Sequence, residues 1–122
     1  MKIRIRDNSI RIRLSQREVS KLGKGGMIAN ELEFPGESTL GFQLLVDEHF
    51  KASYEDDTIK ISIPKTTLGD WVKSDDLTIS HDLKTSENQS MWILVEKDLQ
   101  CKTERPREDD SDAFPNPVTE IC

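Results

Sequence analysis

Isoleucine residues alternate with charged residues in two short runs at the start of the chain. The first run extends from Lys2 to Asp7 and the second from Ser9 to Leu14. A period of two residues is typical of a half-buried β-strand, because successive side chains point to opposite faces of the sheet. Asp7-Asn8 interrupts the pattern with turn-forming residues. The two runs therefore predict a β-hairpin.

A helical signal follows the hairpin. Ser15-Gln16-Arg17-Glu18 fits the S-x-x-E capping box, in which the serine hydroxyl and the glutamate carboxylate satisfy backbone amides at a helix start. Val19 and Leu22 are spaced to be buried together, and Gly23 ends the pattern. Two further apolar segments predict strands, and they cover Met27 to Phe34 and Leu40 to Asp47.

The same pattern occurs a second time. A shift of 49 positions places Ile10 on Ile59, and it places Leu44-Leu45-Val46 on Ile93-Leu94-Val95, without a gap. Such self-similarity is typical of repeated structural units. The second copy predicts a short helix capped at Thr67-Leu68-Gly69-Asp70 that buries Leu68 and Trp71, a polar turn over Thr85 to Gln89, and strands over Lys51–Tyr54, Thr58–Ile63, Leu77–Leu83 and Met91–Val95.

These elements predict a mainly β fold with two short helices. Two tandem ββαββ repeats, residues 1–49 and 50–98, form one β domain over residues 1–98, either as a pseudo-two-fold barrel or as a sandwich. The dense apolar run from Met91 to Val95 favours a central strand. Residues 99–122 lack periodicity and form an extended, acidic, proline-containing C-terminal tail.

Charge is distributed unevenly along the chain. The formal net charge is -6, but residues 1–26 carry about +6 and the remainder about −12. An acidic average argues against a general nucleic-acid binder. No apolar stretch approaches the roughly 20 residues that cross a bilayer, and the basic start does not lead into a signal-peptide core. We therefore expect a cytoplasmic protein.

Five cations of the predicted hairpin are the main candidate binding site. All lie at polar positions between buried isoleucine and leucine residues, so they project from one face: Lys2, Arg4, Arg6, Arg11 and Arg13. Like charges on neighbouring strands are destabilising, so this face needs neutralisation. The first alternative is internal, by Glu31, Glu33, Glu55 or the acidic cluster of residues 108–112. An external polyanion and an acidic protein partner are the others.

The tail contributes a second set of candidates, namely Cys101, Arg105, Asp109, Asp110, Asp112 and Phe114. The carboxylates do not fit a calcium loop, because Phe114 and Pro115 occupy the third ligand and the glycine positions counted from Asp110. We expect no metal and no cofactor, and we interpret Cys101 and Cys122 as free thiols. Catalysis by Cys101 lacks a local base. Phe114 and its neighbouring prolines favour docking into an apolar groove, on this chain or on a partner.

The repeat resembles the swapped-hairpin barrels of AbrB-type bacterial transition-state regulators. The likeness lies in Ile63-Pro64-Lys65, the helix through Trp71, and Lys73-Ser74-Asp75-Asp76-Leu77-Thr78-Ile79. In that family, two units of about fifty residues interleave into one barrel. The resemblance implies a DNA-binding role.

The chain as a whole resembles a small uncharacterised bacterial family. The likeness lies in Met1-Lys2-Ile3-Arg4-Ile5 and Ser9-Ile10-Arg11 at the start, and in Glu96-Lys97-Asp98, Cys101, Glu104-Arg105-Pro106 and the segment from Asp112 to Pro117 at the end. This resemblance implies no known activity.

Taken together, the sequence predicts a small cytoplasmic binding or adaptor module without enzymatic activity. Its basic hairpin face engages an acidic segment, either in its own tail or in a protein partner. The alternative is an AbrB-like DNA-binding regulator that uses the same cations. The oligomeric state is left open, with a homodimer as one alternative.

Overall fold

The computed structural model describes residues 1–100 and 111–116. They form two ββαββ units, which confirms the predicted mainly β class. The first unit consists of β1 (Lys2–Arg6), β2 (Ser9–Leu14), α1 (Gln16–Gly23), β3 (Ile28–Glu33) and β4 (Thr39–Asp47). The second consists of β5 (Lys51–Glu55), β6 (Thr58–Pro64), α2 (Lys65–Lys73), β7 (Thr78–Ser86) and β8 (Gln89–Lys97).

The two units interleave within one chain. Sheet A has the order β1-β2-β8-β7 and sheet B the order β3-β4-β6-β5, so each sheet combines a hairpin from either unit. Parallel pairs join the units at the centre of each sheet, with Ser9 opposite Trp92 in sheet A and Gly41 opposite Thr58 in sheet B. β8 is central in sheet A, as its apolar sequence predicted.

The hydrophobic core lies between the two sheets. Sheet A contributes Ile12 and Val95, and sheet B contributes Leu44 and Ile63, all of them buried. The helices add Val19, Leu22, Leu68 and Trp71, which are the four residues expected to be buried on the helices. Burial of such side chains contributes about 1.5–3 kcal/mol each. Both repeats therefore share one core.

Over residues 1–100 and 111–116, the sheets do not join into a closed barrel. Within the described residues, β1 pairs only with β2 and β3 only with β4, so sheet edges remain on both sides. One seam is bridged by Asn30, whose Nδ2 donates to the Met1 carbonyl at 3.1 Å. At the other seam, the rings of Phe50 and His81 stack with centroids 4.1 Å apart. The sequence predicted either a barrel or a sandwich, and the described strands form two separate sheets around a common core.

Two local expectations were wrong. α2 begins at Lys65 with Pro64 as its N-cap and without a side-chain cap, so Thr67 lies inside the helix instead of capping it. The polar turn expected over residues 85–89 is limited to residues 87–88, because Lys84 pairs with Ser90 and Ser86 pairs with Gln89. Backbone pairing continues through these polar residues, across an irregularity between Lys84 and Ser86. None of the described helices has the length and apolar character needed to span a membrane.

Candidate functional site

The sheet register brings the five predicted cations onto one surface, the outer face of sheet A. Lys2 is opposite Arg13, and Arg4 is opposite Arg11, while Ile10, Ile12 and Leu14 between them are buried. We call Lys2, Arg4, Arg6, Arg11 and Arg13 the basic face. The alternation of the sequence is thus sufficient to place these residues, since a strand shows alternate side chains to opposite sides.

Carboxylates of the central strand β8 and of the residue after it neutralise one half of the basic face. Glu96 lies opposite Arg13 in the parallel pair, and its Oε1 is 2.7 Å from Arg13 Nε. The same Oε1 lies 2.6 Å from Arg11 Nε, whose N–H does not point at it, and Arg11 Nη2 donates to Oε2 at 3.3 Å. Asp98 Oδ2 lies 2.7 Å from Lys2 Nζ.

Burial makes these contacts more important than ordinary surface ion pairs. The side chains of Glu96 and Asp98 are only 12% and 10% exposed, whereas Arg11 and Arg13 are 38% and 31% exposed. A largely buried carboxylate is costly unless charged donors satisfy it. Lys2, Arg11 and Arg13, the ion-paired half of the basic face, therefore have a structural role in sheet A.

The other half of the basic face is open. Arg4 and Arg6 are exposed, and neither forms an ion pair with another described residue. In the sheet register, Arg6, Ser9 and Trp92 form one row on this face. Trp92 is 43% exposed, although it lies on a central strand. Two guanidinium groups and an indole thus share one accessible surface.

Three of the internal acidic partners named from the sequence lie away from the basic face, and residues 108–110 of the acidic cluster lie outside the described residues. Glu31 and Glu33 lie on β3 and Glu55 on β5, all in sheet B, and among described residues none pairs with an arginine of the basic face. Glu96 and Asp98 were missed because the neighbour of β2 comes from the other repeat. A usable signal was present in the sequence, since Glu96-Lys97-Asp98 directly follows the apolar run from Met91 to Val95.

The described part of the tail packs on the protein itself. The backbone carbonyl of Asp98 accepts a hydrogen bond from the Phe114 amide at 2.6 Å, and the Gln100 amide donates to the Phe114 carbonyl at 2.7 Å. Ala113 is buried. The Asp112 carboxylate accepts a hydrogen bond from the Arg17 amide at 3.3 Å, at the start of α1. Of the tail candidates, Cys101, Arg105, Asp109 and Asp110 lie outside the described residues, as does Cys122.

A buried lysine connects the tail to α2. Lys97 is 7% exposed, and its Nζ donates to the carbonyls of Trp71 at 3.1 Å and Ser74 at 2.7 Å. The same ammonium group lies 5.2 Å from the Trp71 ring centroid and 5.8 Å from that of Phe114. A cation is favoured at the carbonyl end of a helix and over aromatic rings. Lys97 thus stabilises the end of α2, a role that sequence inspection did not identify.

The equivalent surface of sheet B has a different composition. The shift of 49 positions places Ser53 and Glu55 where sheet A has Arg4 and Arg6, and Gln43 where it has Trp92. There the Asp47 carboxylate lies 3.6 Å from Lys51. The Glu48 amide, followed by the charge of Lys51, lowers the pKa of Asp47. The repeated fold therefore forms without an arginine-rich outer face.

The described residues contain no group of three or more side chains arranged to hold a metal ion. No match was found among curated proteins or among solved structures, so the resemblance to AbrB-type regulators is not confirmed. The model of a family of unknown function (DUF7009) matches residues 1–118, which agrees with the uncharacterised family expected from the two ends of the chain. On this match over nearly its whole length, the chain belongs to that family.

Proposed function

We propose that the chain is a small binding module whose basic face engages an acidic segment of a protein partner. The observation that carries this proposal is the open half of the face, where Arg4 and Arg6 are exposed beside Trp92 without a carboxylate from the described residues. Guanidinium groups bind carboxylates through paired N–H donors. An indole adds apolar contact and a hydrogen-bond donor.

The comparison of the two repeats supports this role. The same strand positions in β5 carry Ser53 and Glu55, and the same fold results. Arg4 and Arg6 are therefore not needed to build a sheet of this type. Two like charges on one strand, next to Arg11 on its neighbour, weaken the sheet unless a ligand compensates. A ligand-binding role explains why the cations are present at this cost.

A DNA-binding regulator is the alternative function. Three of the five cations, Lys2, Arg11 and Arg13, already contact Glu96 or Asp98. A protein that holds duplex DNA commonly contacts about 6–10 phosphates. Two open arginines on a protein with a net charge of -6 supply few of these contacts. The basic face thus favours a short acidic segment over a duplex.

The test is a binding titration with two fluorescent probes, a polyglutamate peptide and a duplex DNA, over a salt series. The variant Arg4→Ser/Arg6→Glu gives β1 the residues that β5 carries at the equivalent positions. The matched control is Lys21→Ser/Lys24→Glu, which changes the net charge equally at exposed cations of α1 and of its C-cap. We expect the first variant to lose about tenfold in peptide affinity, equal to about 1.4 kcal/mol, and the control to lose much less.

Equal losses in the two variants would show that only net charge matters, and the proposal would fail. Binding of duplex DNA in preference to the peptide, with an affinity that falls steeply with salt, would favour the regulator instead.

A further inference from the structure

The exposed edge of β1 has hydrogen-bonding groups that no described strand uses. β1 is the outermost strand of sheet A and pairs only with β2 within the described residues. Arg6 and Ser9 flank a two-residue turn, so they form a hydrogen-bonded pair, as do Arg4 and Arg11 two positions further. The amide and carbonyl groups of Ile3 and Ile5 therefore point away from β2, toward the edge.

One contact in the structure agrees with this alternation. The Met1 carbonyl accepts a hydrogen bond from Asn30 Nδ2 at 3.1 Å, across the seam between the sheets. Met1 is two residues before Ile3, so its carbonyl is expected to point to the same side of the strand as those of Ile3 and Ile5. The edge is thus occupied at Met1 and accessible further along the strand. Unpaired edges of this kind accept an extended segment of another chain.

The two sides of β1 differ in chemistry. Its outer side carries Arg4 and Arg6, which are the open half of the basic face. Its inner side carries Ile3 and Ile5, and a cavity of about 370 Å³ lies between them and Leu32 and Phe42 of sheet B. Ile5 is 58% exposed, and it also lines a second, mainly apolar cavity of about 300 Å³. A strand placed along this edge would meet arginines on one side and an apolar cleft on the other.

We propose that the partner segment adds to the edge of β1 as an extra strand in which acidic and apolar residues alternate. Its acidic side chains contact Arg4 and Arg6, its apolar side chains enter the cleft beside Ile3 and Ile5, and its backbone pairs with these two isoleucines. This inference rests on the proposed function and specifies the partner's chemistry and binding mode. Backbone pairing adds contacts that two exposed arginines alone do not provide.

Charge selects this occupant over a second copy of the chain. Two β1 strands side by side would bring their arginines together, and like charges opposite one another in a sheet are destabilising. The equivalent edge of β5 does not suit the same ligand, because it carries Glu55 where β1 carries Arg6. Of these two equivalent edges, only β1 combines cations on the outer side with an isoleucine pair on the inner side.

The test uses the full chain and two fluorescent peptides of equal composition, one alternating Glu and Val, the other with its Glu residues in one block and its Val residues in another. We expect the alternating peptide to bind at least about tenfold more tightly than the block peptide. Arg4→Ser/Arg6→Glu should remove this preference. On binding, amide hydrogen exchange at Ile3 and Ile5 should slow at least about tenfold, because these amides become paired.

Two N-methylated forms of the alternating peptide test the backbone contact directly. Antiparallel addition uses the Val amides and parallel addition uses the Glu amides, so methylation of one set should abolish binding while the other set is tolerated. The variant Ile5→Pro removes the edge-facing amide without removing a donor of the β1–β2 pairing, and Tyr54→Pro on β5 is its matched control. If Ile5→Pro does not fold, the methylated peptides still decide the question.

The outcomes separate the two proposals. Equal affinity for both peptides, with both weakened by Arg4→Ser/Arg6→Glu, would overturn strand addition and leave the acidic-partner function standing. Tolerance of both methylation patterns would do the same. Absence of binding to either peptide would overturn both proposals. A doubled mass in solution that Ile5→Pro abolishes would identify a second copy as the occupant of this edge.

Discussion

Glu96 is the residue on which the paired half of the basic face depends. Its carboxylate is 12% exposed and contacts both Arg11 and Arg13. The two arginines lie on β2, which pairs in parallel with β8 although the strands are far apart in the sequence. Removing its charge leaves two guanidinium groups without a counter-charge at the centre of sheet A. Because both arginines keep about a third of their surface in water, solvent compensates part of this loss.

We predict that Glu96→Gln lowers the free energy of unfolding by about 1–2 kcal/mol, less than the 3–5 kcal/mol typical of a fully buried pair. Urea denaturation measures this change. The control is Asp47→Asn, the equivalent position in sheet B, where the carboxylate is exposed and its ion pair with Lys51 is long. An equal loss in both variants would show that burial of Glu96 does not matter.

Asp47 provides a pH-dependent prediction. Its pKa is lowered first by the Glu48 amide and second by Lys51, so the folded state favours the charged form. This contribution to stability is present above the pKa of the unfolded chain, and it is lost as pH falls through the lower pKa of the folded state. An NMR titration should show Asp47 with a midpoint below the ordinary aspartate value. Lys51→Met should reduce the shift without abolishing it, because the Glu48 amide still lowers the pKa of Asp47, and complete loss of the shift would contradict the role assigned to that amide.

Single residues also show what sequence can predict about the site. The alternation in Lys2 to Leu14 was sufficient to place five cations on one face, because strand periodicity is a local property. It was not sufficient to identify Glu96 and Asp98 as their partners. That pairing depends on which strand lies beside β2, and a contact between residues 11 and 96 has no local signature.

The two helices show how equivalent elements differ in their ends. α1 has a complete capping box, in which Ser15 Oγ accepts from the Glu18 amide at 3.3 Å and the Ser15 amide donates to the Glu18 carboxylate at 3.0 Å. The shift of 49 positions places Ser15 on Pro64, which is the N-cap of α2 and offers no side-chain acceptor. The helices start at the same repeat position with different chemistry.

We predict that Ser15→Ala destabilises the protein by about 1 kcal/mol, because the helix start loses its cap. Thr67→Ala, at the repeat position of Glu18, should change stability by less than about 0.5 kcal/mol. Thermal denaturation followed by circular dichroism compares the two variants. A larger loss in Thr67→Ala would restore the cap that the sequence first suggested there.

The wrong prediction of a helix cap at Thr67 has a physical reason. Thr67-Leu68-Gly69-Asp70 has cap-forming residues, but β6 ends at Pro64, which has no N–H to donate, and the helix begins directly after it at Lys65. The repeat register held the correct answer, since it aligned the two N-caps. Local residue preference was the weaker guide at this position.

At the scale of the whole molecule, neither repeat has a sheet of its own. Each of the two four-stranded sheets contains one hairpin from each repeat, and the buried side chains of both repeats form one cluster. A defect in either sheet should therefore be felt throughout the described fold.

We predict that Ile61→Ala, at a position 1% exposed in sheet B, lowers the free energy of unfolding by about 2–5 kcal/mol. Amide exchange should accelerate in β2 and β8 of sheet A as well as in sheet B, since the two unfold as one unit. Leu32→Ala, at a position 51% exposed, is the control and should have a much smaller effect. Faster exchange confined to sheet B would indicate two independent units.

The repeat itself was visible in the sequence, and so were all ten elements, because each rests on local periodicity. Residue patterns alone did not decide the exchange of hairpins between sheets, which only the unconfirmed resemblance to AbrB-type barrels implied. A ββαββ unit has the same pattern whether its hairpins pair with each other or with those of a second unit. Whether the described sheets close into a barrel likewise depends on how closely their edge strands approach at both seams, which residue patterns do not encode.

The parallel pairs at the centre of the sheets have a consequence for the order of folding. Between Gly41 and Thr58 lie only the rest of β4, β5 and their turns, whereas Ser9 meets Trp92 across most of the chain. Contacts between distant residues are slow to form, because the intervening chain must first lose entropy. During synthesis, all four strands of sheet B are complete before β8 has been made, so one edge of β2 in the arginine-rich hairpin stays unpaired until then. The charges on that hairpin destabilise the finished sheet. Before β8 is available, the same charges would keep the unpaired β2 soluble and prevent it from pairing with other nascent chains.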